Sequence, residues 1–162
     1  KSSVYEDEAW IRTLEMFVRR LYDAAIPTVG ICFGHQFIAS LFGGKVVRKE
    51  YLRSVKEITI ETLDDPLTQG LPEKLNLVVA HQDHVVELPK GFIRLGTSPY
   101  CENQIMRHRR RPIWGIQPHP DYDERILIRP DWKKKLTDDQ IEQIQNKQLI
   151  KNITNIIQTY GR

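Results

Sequence analysis

One cysteine of this chain stands between two glycines, in Gly30-Ile31-Cys32-Phe33-Gly34. The form is G-x-nucleophile-x-G. It follows a short β-branched run, Thr28 to Ile31, and precedes a helical pattern, His35 to Phe42. Strand, sharp turn and helix form the setting of a nucleophile elbow. Such a turn strains its central residue, and neighbouring glycines remove side chains that would clash. A thiol there lies at a helix N-terminus, whose partial positive charge favours thiolate over thiol. The backbone N–H of Phe33 is then placed to stabilise an oxyanion. Alone, the pattern also fits a buried structural cysteine at a strand end.

A cysteine nucleophile needs an imidazole to move its proton, and the imidazole needs a carboxylate to hold its tautomer. Trp114-Gly115-Ile116-Gln117-Pro118-His119-Pro120-Asp121 puts a histidine just past an apolar strand, with two prolines fixing the backbone around it. Asp121 is the nearest acid, followed by Asp123 and Glu124. Taken alone, His119 also fits a packed or surface histidine.

Other chemistry-bearing residues have blander readings. His81 and His84, with Asp83 between, have permissive metal spacing but no evident third ligand nearby, so no metal is expected. Cys101 has no glycine elbow and reads as packed. Two cysteines are no disulfide framework, and Cys32 needs a free thiol, hence a reducing compartment. The net charge of +3 is concentrated around 107–111 and 133–135, without a coherent basic face, which argues against nucleic acid. The Arg109-Arg110-Arg111 tip reads as solvated, with an anionic partner as the other reading. No run of about 18 apolar residues predicts a membrane span. No signal-peptide pattern opens the chain, so a cytoplasmic location is expected.

The elements that must position these groups follow from periodicity. Trp10, Leu14, Phe17, Val18 and Leu21 predict an amphipathic helix over 7–25, stopped by Pro27. Gly43-Gly44 closes the helix after the elbow. Strands are predicted at 45–47, 55–62, 75–80, 92–96, 104–108 and 112–117, with turns at Asp64-Asp65-Pro66 and Leu88-Pro89-Lys90-Gly91. Thr137 and Gln140 make a capping box, and the isoleucines beyond predict one terminal helix over about 138–159. One domain over 1–162 is expected. Its class is α/β: a mostly parallel sheet flanked by helices, with an added antiparallel region.

Gly30-Ile31-Cys32-Phe33-Gly34-His35-Gln36 resembles the G-x-C-x-G-x-Q elbow of class I (triad) glutamine amidotransferases. Gln117-Pro118-His119-Pro120-Asp121 resembles that family's Q-x-H-P-E segment. Residues 81–91, His-Gln-Asp-His-Val-Val-Glu-Leu-Pro-Lys-Gly, look like the H-x-D-x-V-x-x-L-P-x-G stretch of its GMP-synthetase-like branch. Ser98-Pro99-Tyr100-Cys101-Glu102-Asn103-Gln104 is similar to its S-x-x-C-x-N-Q segment. Four motifs in order are far more specific than any one.

The resemblance implies a flavodoxin-like fold and no cofactor. It also implies hydrolysis of the glutamine side-chain amide. Cys32 attacks, a γ-glutamyl thioester forms, and His119 protonates the departing ammonia and then activates water. Gln36 contacts the amino-acid end of the substrate, and His81 and Asp83 line the same pocket. The substrate is glutamine or another γ-glutamyl compound. The ammonia acceptor lies on another polypeptide, so the expected partner is a synthetase or acceptor subunit, or else a second copy. A γ-glutamyl peptidase and a non-catalytic binding relative are the alternatives.

Three departures stand out. Asp121 replaces the usual Glu and is one methylene shorter. Pro118 replaces an aromatic residue. The chain opens where the family has already supplied several strands and a glycine-rich oxyanion loop, which reads as an N-terminally truncated member. Weak catalysis by this chain alone is the resulting expectation, because one lost oxyanion donor costs roughly a hundred- to thousandfold.

Overall fold

The computed structural model of the chain describes residues 3–6, 8–127, 129–133 and 136–160. Asp7, the expected first residue of the N-terminal helix, and Lys134 and Lys135 of the second basic cluster lie outside them. Helix α1 spans Ala9–Asp23. Its buried stripe is Ile11 and Val18, with Leu14 and Tyr22 packed beside them; Trp10 and Phe17, expected inside, are largely exposed. Ala25 ends the helix at φ 52°, with Ile26 N–H donating to Leu21 O and Ala25 N–H to Tyr22 O. That is the left-handed closure usually given to glycine.

Strand β1 (Thr28–Ile31) leads through Cys32 into helix α2 (Phe33–Leu41). Four antiparallel strands follow: β2 (Lys45–Ile60), β3 (Lys74–Glu87), β4 (Phe92–Ser98) and β5 (Cys101–His108); β6 (Ile113–Ile116) then returns beside β1. The sheet order is β1-β6-β5-β4-β2-β3. The α/β class with flanking helices is as expected, but the proportions within it differ. Among the described strands only β1 and β6 pair in parallel, so the antiparallel region is the larger part of the sheet. The tight turns at 99–100 and 109–112 account for the β4–β5 and β5–β6 pairs, because strands joined by short turns pair antiparallel, and β2 adds antiparallel pairs to both β3 and β4.

The strands predicted at 45–47 and 55–62 are one long strand. The polar stretch between them has no alternation, yet pairing with β3 carries it through, with a register shift between Arg48 and Leu52. β3 likewise runs on from Ala80 through His84 to Glu87.

One sheet face packs Ile58, Leu75, Leu77, Leu95, Ile105 and Ile116 against Leu149 and Ile156 of the terminal helix. The other packs Val85, Phe92, Met106 and Ile113 against Ile11 and Val18 of α1 and Phe37 and Ile38 of α2. The two faces give a helix–sheet–helix sandwich.

The single terminal helix over 138–159 is a correction. After the short helices α3 (Glu124–Leu127) and α4 (Pro130–Lys133), the chain forms α5 (Asp138–Glu142) and, separately, α6 (Lys147–Tyr160). The Thr137–Gln140 capping box is present and starts α5. The break is docked on its surroundings: Gln145 N–H donates to Asn76 O at 2.9 Å, and the Gln145 side-chain oxygen accepts from Asn76 N–H. Asn146 Nδ2 donates to Pro120 O and Tyr122 O. Bonds to the edge strand β3 and to the loop after β6 replace the helical ones.

Two glycines let α2 settle onto the sheet. Gly30 of β1 and Gly115 of β6 are register partners. A Cβ on Gly30 would lie 2.5 Å from the Gly34 backbone, and one on Gly115 would lie 2.5 Å from His35 Nδ1. Gly34 itself has open space where a Cβ would go, so packing within this chain requires only the first glycine of the elbow. Gly30→Ala is therefore expected to cost about 2–3 kcal/mol in chemical denaturation. Gly34→Ala is expected to stay within about 0.5 kcal/mol of wild type. Equal losses at the two positions would contradict this packing.

Candidate active site

Cys32 has φ 50° and ψ −99°. Apart from Ala25 it is the only described non-glycine residue with positive φ. The strained conformation is pinned on both sides. Cys32 N–H donates to Ile116 O at 2.8 Å, extending the parallel β1–β6 ladder by one bond, and Cys32 O accepts from Gln36 N–H at 3.1 Å, opening α2. The side chain is a free thiol at the helix N-terminus.

His119 reaches the same place from β6. Its N–H donates to Val78 O at 2.8 Å, in an isolated antiparallel bridge to β3. The ring stacks on Tyr122 with centroids 4.2 Å apart, and Tyr122 in turn meets the edge of Trp132. His119 Nδ1 lies 3.2 Å from Asp121 Oδ1, and the Cys32 thiol is near enough to act on the charge of the ring. Burial pushes the imidazole toward neutrality. The hydrogen bond to Asp121, the nearby Cys32 thiol and the charges of both outweigh it, raising the pKa from 6.5 to about 9. Burial likewise works against the Asp121 carboxylate, but the bond and charge of His119 more than compensate, and its pKa is lowered. Of the other candidate acids, Asp123 is bound instead by Arg125, at 2.5 Å.

A cavity of about 380 Å³ opens beside Cys32, lined by Trp10, Phe33, Gln36, Tyr51, His81 and Asp83 among others. Phe33, the first residue of α2, lies between the rings of Trp10 and Phe37. Gln36 is buried, and its Nε2 donates to Asp83 O at 2.8 Å and to Gln117 Oε1 at 3.3 Å. His81 Nδ1 is 3.2 Å from Asp83 O, while its buried Nε2 has no protein partner. Burial, and then the nearby His84, hold the His81 pKa down at about 3, so the ring is neutral. The Asp83 carboxylate takes hydrogen bonds from Ser3 Oγ (2.6 Å) and Tyr5 Oη (3.1 Å), with Arg48 at 3.7 Å.

The seven residues expected to act at the site thus lie in one neighbourhood: Cys32, His119 and Asp121 in sequence, and Phe33, Gln36, His81 and Asp83 around the cavity. Sequence reasoning misses other neighbours. Gln117 Nε2 lies 3.8 Å from Cys32 Sγ. Its place in the Gln117-Pro118-His119 motif is the only signal for it. Trp10 and Tyr51 come from elements with no motif at all. The Ser98–Gln104 motif is structural. Ser98 Oγ bonds the backbone at Cys101 and the Gln104 amide, closing the β4–β5 turn, and Asn103 Nδ2 ties β5 to Val85 O of β3. Burial pushes the Cys101 thiol up to about 12, in keeping with a packed residue.

The family model for class-I glutamine amidotransferases matches residues 5–126. The chain belongs to that family. It is 37% identical over 108 residues to the glutamine-hydrolyzing GMP synthase subunit of Archaeoglobus fulgidus, covering 66% of this chain and 57% of that protein. Its identity to the corresponding protein of Thermococcus kodakarensis is 45% over 97 residues, covering 59% and 51%. The chain thus spans little more than half the length of these relatives. The crystal structure of a glutamine amidotransferase from Thermotoga maritima shares the fold, with TM-score 0.82 at 21% identity, covering 97% of this chain and 74% of that one.

The raised His119 pKa has a pH signature. A group whose folded pKa exceeds its unfolded value stabilises fully below the latter and loses that contribution as pH rises through the former. Here the loss runs from about 6.5 to about 9. With Asp121 half-exposed and screened, the effect is expected to be about 1–2 kcal/mol. Melting curves across this window are expected to fall more steeply for wild type than for Asp121→Asn. Parallel curves would show that Asp121 does not hold the imidazolium.

Proposed function

We propose that this domain hydrolyses the side-chain amide of glutamine at Cys32. The carrying observation is a strained cysteine whose thiol acts electrostatically on His119, which is hydrogen-bonded in turn to Asp121. In this reading His119 takes the thiol proton, and the sulfur attacks the amide carbonyl, forming a C–S bond. The N-terminus of α2, with the Phe33 N–H, favours the developing oxyanion. His119 then returns the proton to nitrogen as the C–N bond breaks. Ammonia leaves, and a γ-glutamyl thioester remains on Cys32. Water, deprotonated by His119, attacks the thioester and releases glutamate and the thiol. Asp121 keeps the imidazole oriented through Nδ1.

The substrate's amino-acid end lies in the cavity against Gln36, His81 and Asp83. Both N–H groups of the Gln36 amide are committed, so its oxygen is the atom left to meet an ammonium group. The relatives named as GMP synthase subunits support a separate synthetase polypeptide as the consumer of the ammonia. No described helix is long and apolar enough to cross a membrane.

The test is intact-mass analysis after exposure to a chloroketone analogue of glutamine, alongside an ammonia-release assay. One equivalent of label is expected on wild type and none on Cys32→Ala, whose turnover falls by more than about a thousandfold. Label that persists in Cys32→Ala would refute the assignment. Turnover of γ-glutamyl peptides with none of glutamine would replace it with a γ-glutamyl hydrolase.

A further inference from the structure

The first residue beyond β6, Gln117, is fully buried although its side chain ends in an amide. Its neighbours fix which way that amide points. The Asp83 carbonyl can only accept, so the Gln36 atom 2.8 Å from it must be the nitrogen. That same nitrogen lies 3.3 Å from one end of the Gln117 amide, which must then be the oxygen. The other end, Nε2, is consequently the atom that faces Cys32 Sγ at 3.8 Å. A backbone carbonyl of β3 thus sets two glutamine amides in series. The last of them offers an N–H, not an oxygen, to the sulfur.

We propose that Gln117 is a positioning residue that donates a fixed hydrogen bond to the Cys32 thiolate, with its amide held in the donating orientation by Gln36. The proposal rests on the reading of Cys32 as nucleophile. Two donors then converge on the sulfur from one short segment. His119 carries a mobile proton, and Gln117 carries one that never leaves. A hydrogen bond to a charged acceptor is stronger than one to a neutral acceptor, so Gln117 favours the thiolate over both the thiol and the thioester. It acts before acylation and again when water expels the sulfur. A glutamine rotated by half a turn would present its oxygen and do the opposite. The clamp from Gln36 is therefore part of the device.

The experiment measures the rate of Cys32 alkylation by iodoacetamide at neutral pH, with the site located by mass spectrometry. Wild type is compared with Gln117→Met, Gln117→Glu and Gln36→Leu. Melting temperatures are recorded for each, and ammonia release from glutamine is measured in parallel. Gln117→Met keeps the length and loses the donor, and is expected to slow alkylation about tenfold. Gln117→Glu places a carboxylate at the sulfur and is expected to slow it further. Gln36→Leu does not touch the sulfur but frees the Gln117 amide to rotate. It is expected to slow alkylation too, and it keeps the proposal open to refutation if a Gln117 variant fails to fold. In turnover, Gln117→Met is expected to lower kcat with little change in KM, which a purely structural role would not do. Alkylation rates equal to wild type in the folded variants would overturn the proposal. Wild-type ammonia release alongside unchanged alkylation would sink this inference and leave the proposed function standing. Slowed alkylation in a wild-type background that releases no ammonia would do the reverse.

Discussion

The contact between the side chains of Cys32 and His119 depends on a single parallel pairing. β1 and β6 are far apart in sequence but run side by side in one direction, so both chains leave the sheet at the same end. The bond from Cys32 N–H to Ile116 O is the last rung of that ladder, and the strained turn begins one atom later. A positive φ on a cysteine costs roughly 1–2 kcal/mol, so it persists only where its surroundings over-determine it. Here the ladder holds one side and the first turn of α2 holds the other. Register partners Gly30 and Gly115 let α2 press close enough to do so. The rest of the sheet serves this end: β3 holds His119 through Val78 and Gln36 through the Asp83 carbonyl.

The electrostatics follow from that geometry. The histidines around the site are buried, and burial alone favours the neutral ring, as it does at His35 and His81. His119 is the exception because both an acid, Asp121, and the Cys32 thiol act on it. The shorter Asp121 reaches it at 3.2 Å, although its outer side stays open to solvent. The same imidazole is sandwiched against Tyr122, whose phenol is itself kept protonated by burial and then by Asp121 and Cys32.

Much of this is legible in the residues. The elbow, the histidine after a strand and the polar pocket stretch each carry a local constraint that sequence expresses directly: glycines at a close approach, prolines around a fixed imidazole, a β-branched run before the turn. Other features stay hidden because they depend on partners distant in sequence. The polar middle of β2 is a strand because β3 pairs with it, not because of its own pattern. The terminal helix breaks at 143–146 because Asn76 and the 120–122 backbone offer better partners than another helical turn. Trp10 has the spacing of a core residue, yet it stands at the mouth of the cavity against Phe33. The elbow pattern makes its second glycine look sterically necessary, and packing within this chain leaves it room to spare.

The measurement that bears most directly on the sulfur–imidazole contact is an NMR titration of the His119 ring nitrogens in wild type and in Cys32→Ala. If the two side chains meet as described, the wild-type imidazolium persists to about pH 9, and removing the sulfur moves its midpoint down toward 6.5. One unperturbed midpoint shared by both proteins would contradict the contact on which the active-site geometry depends.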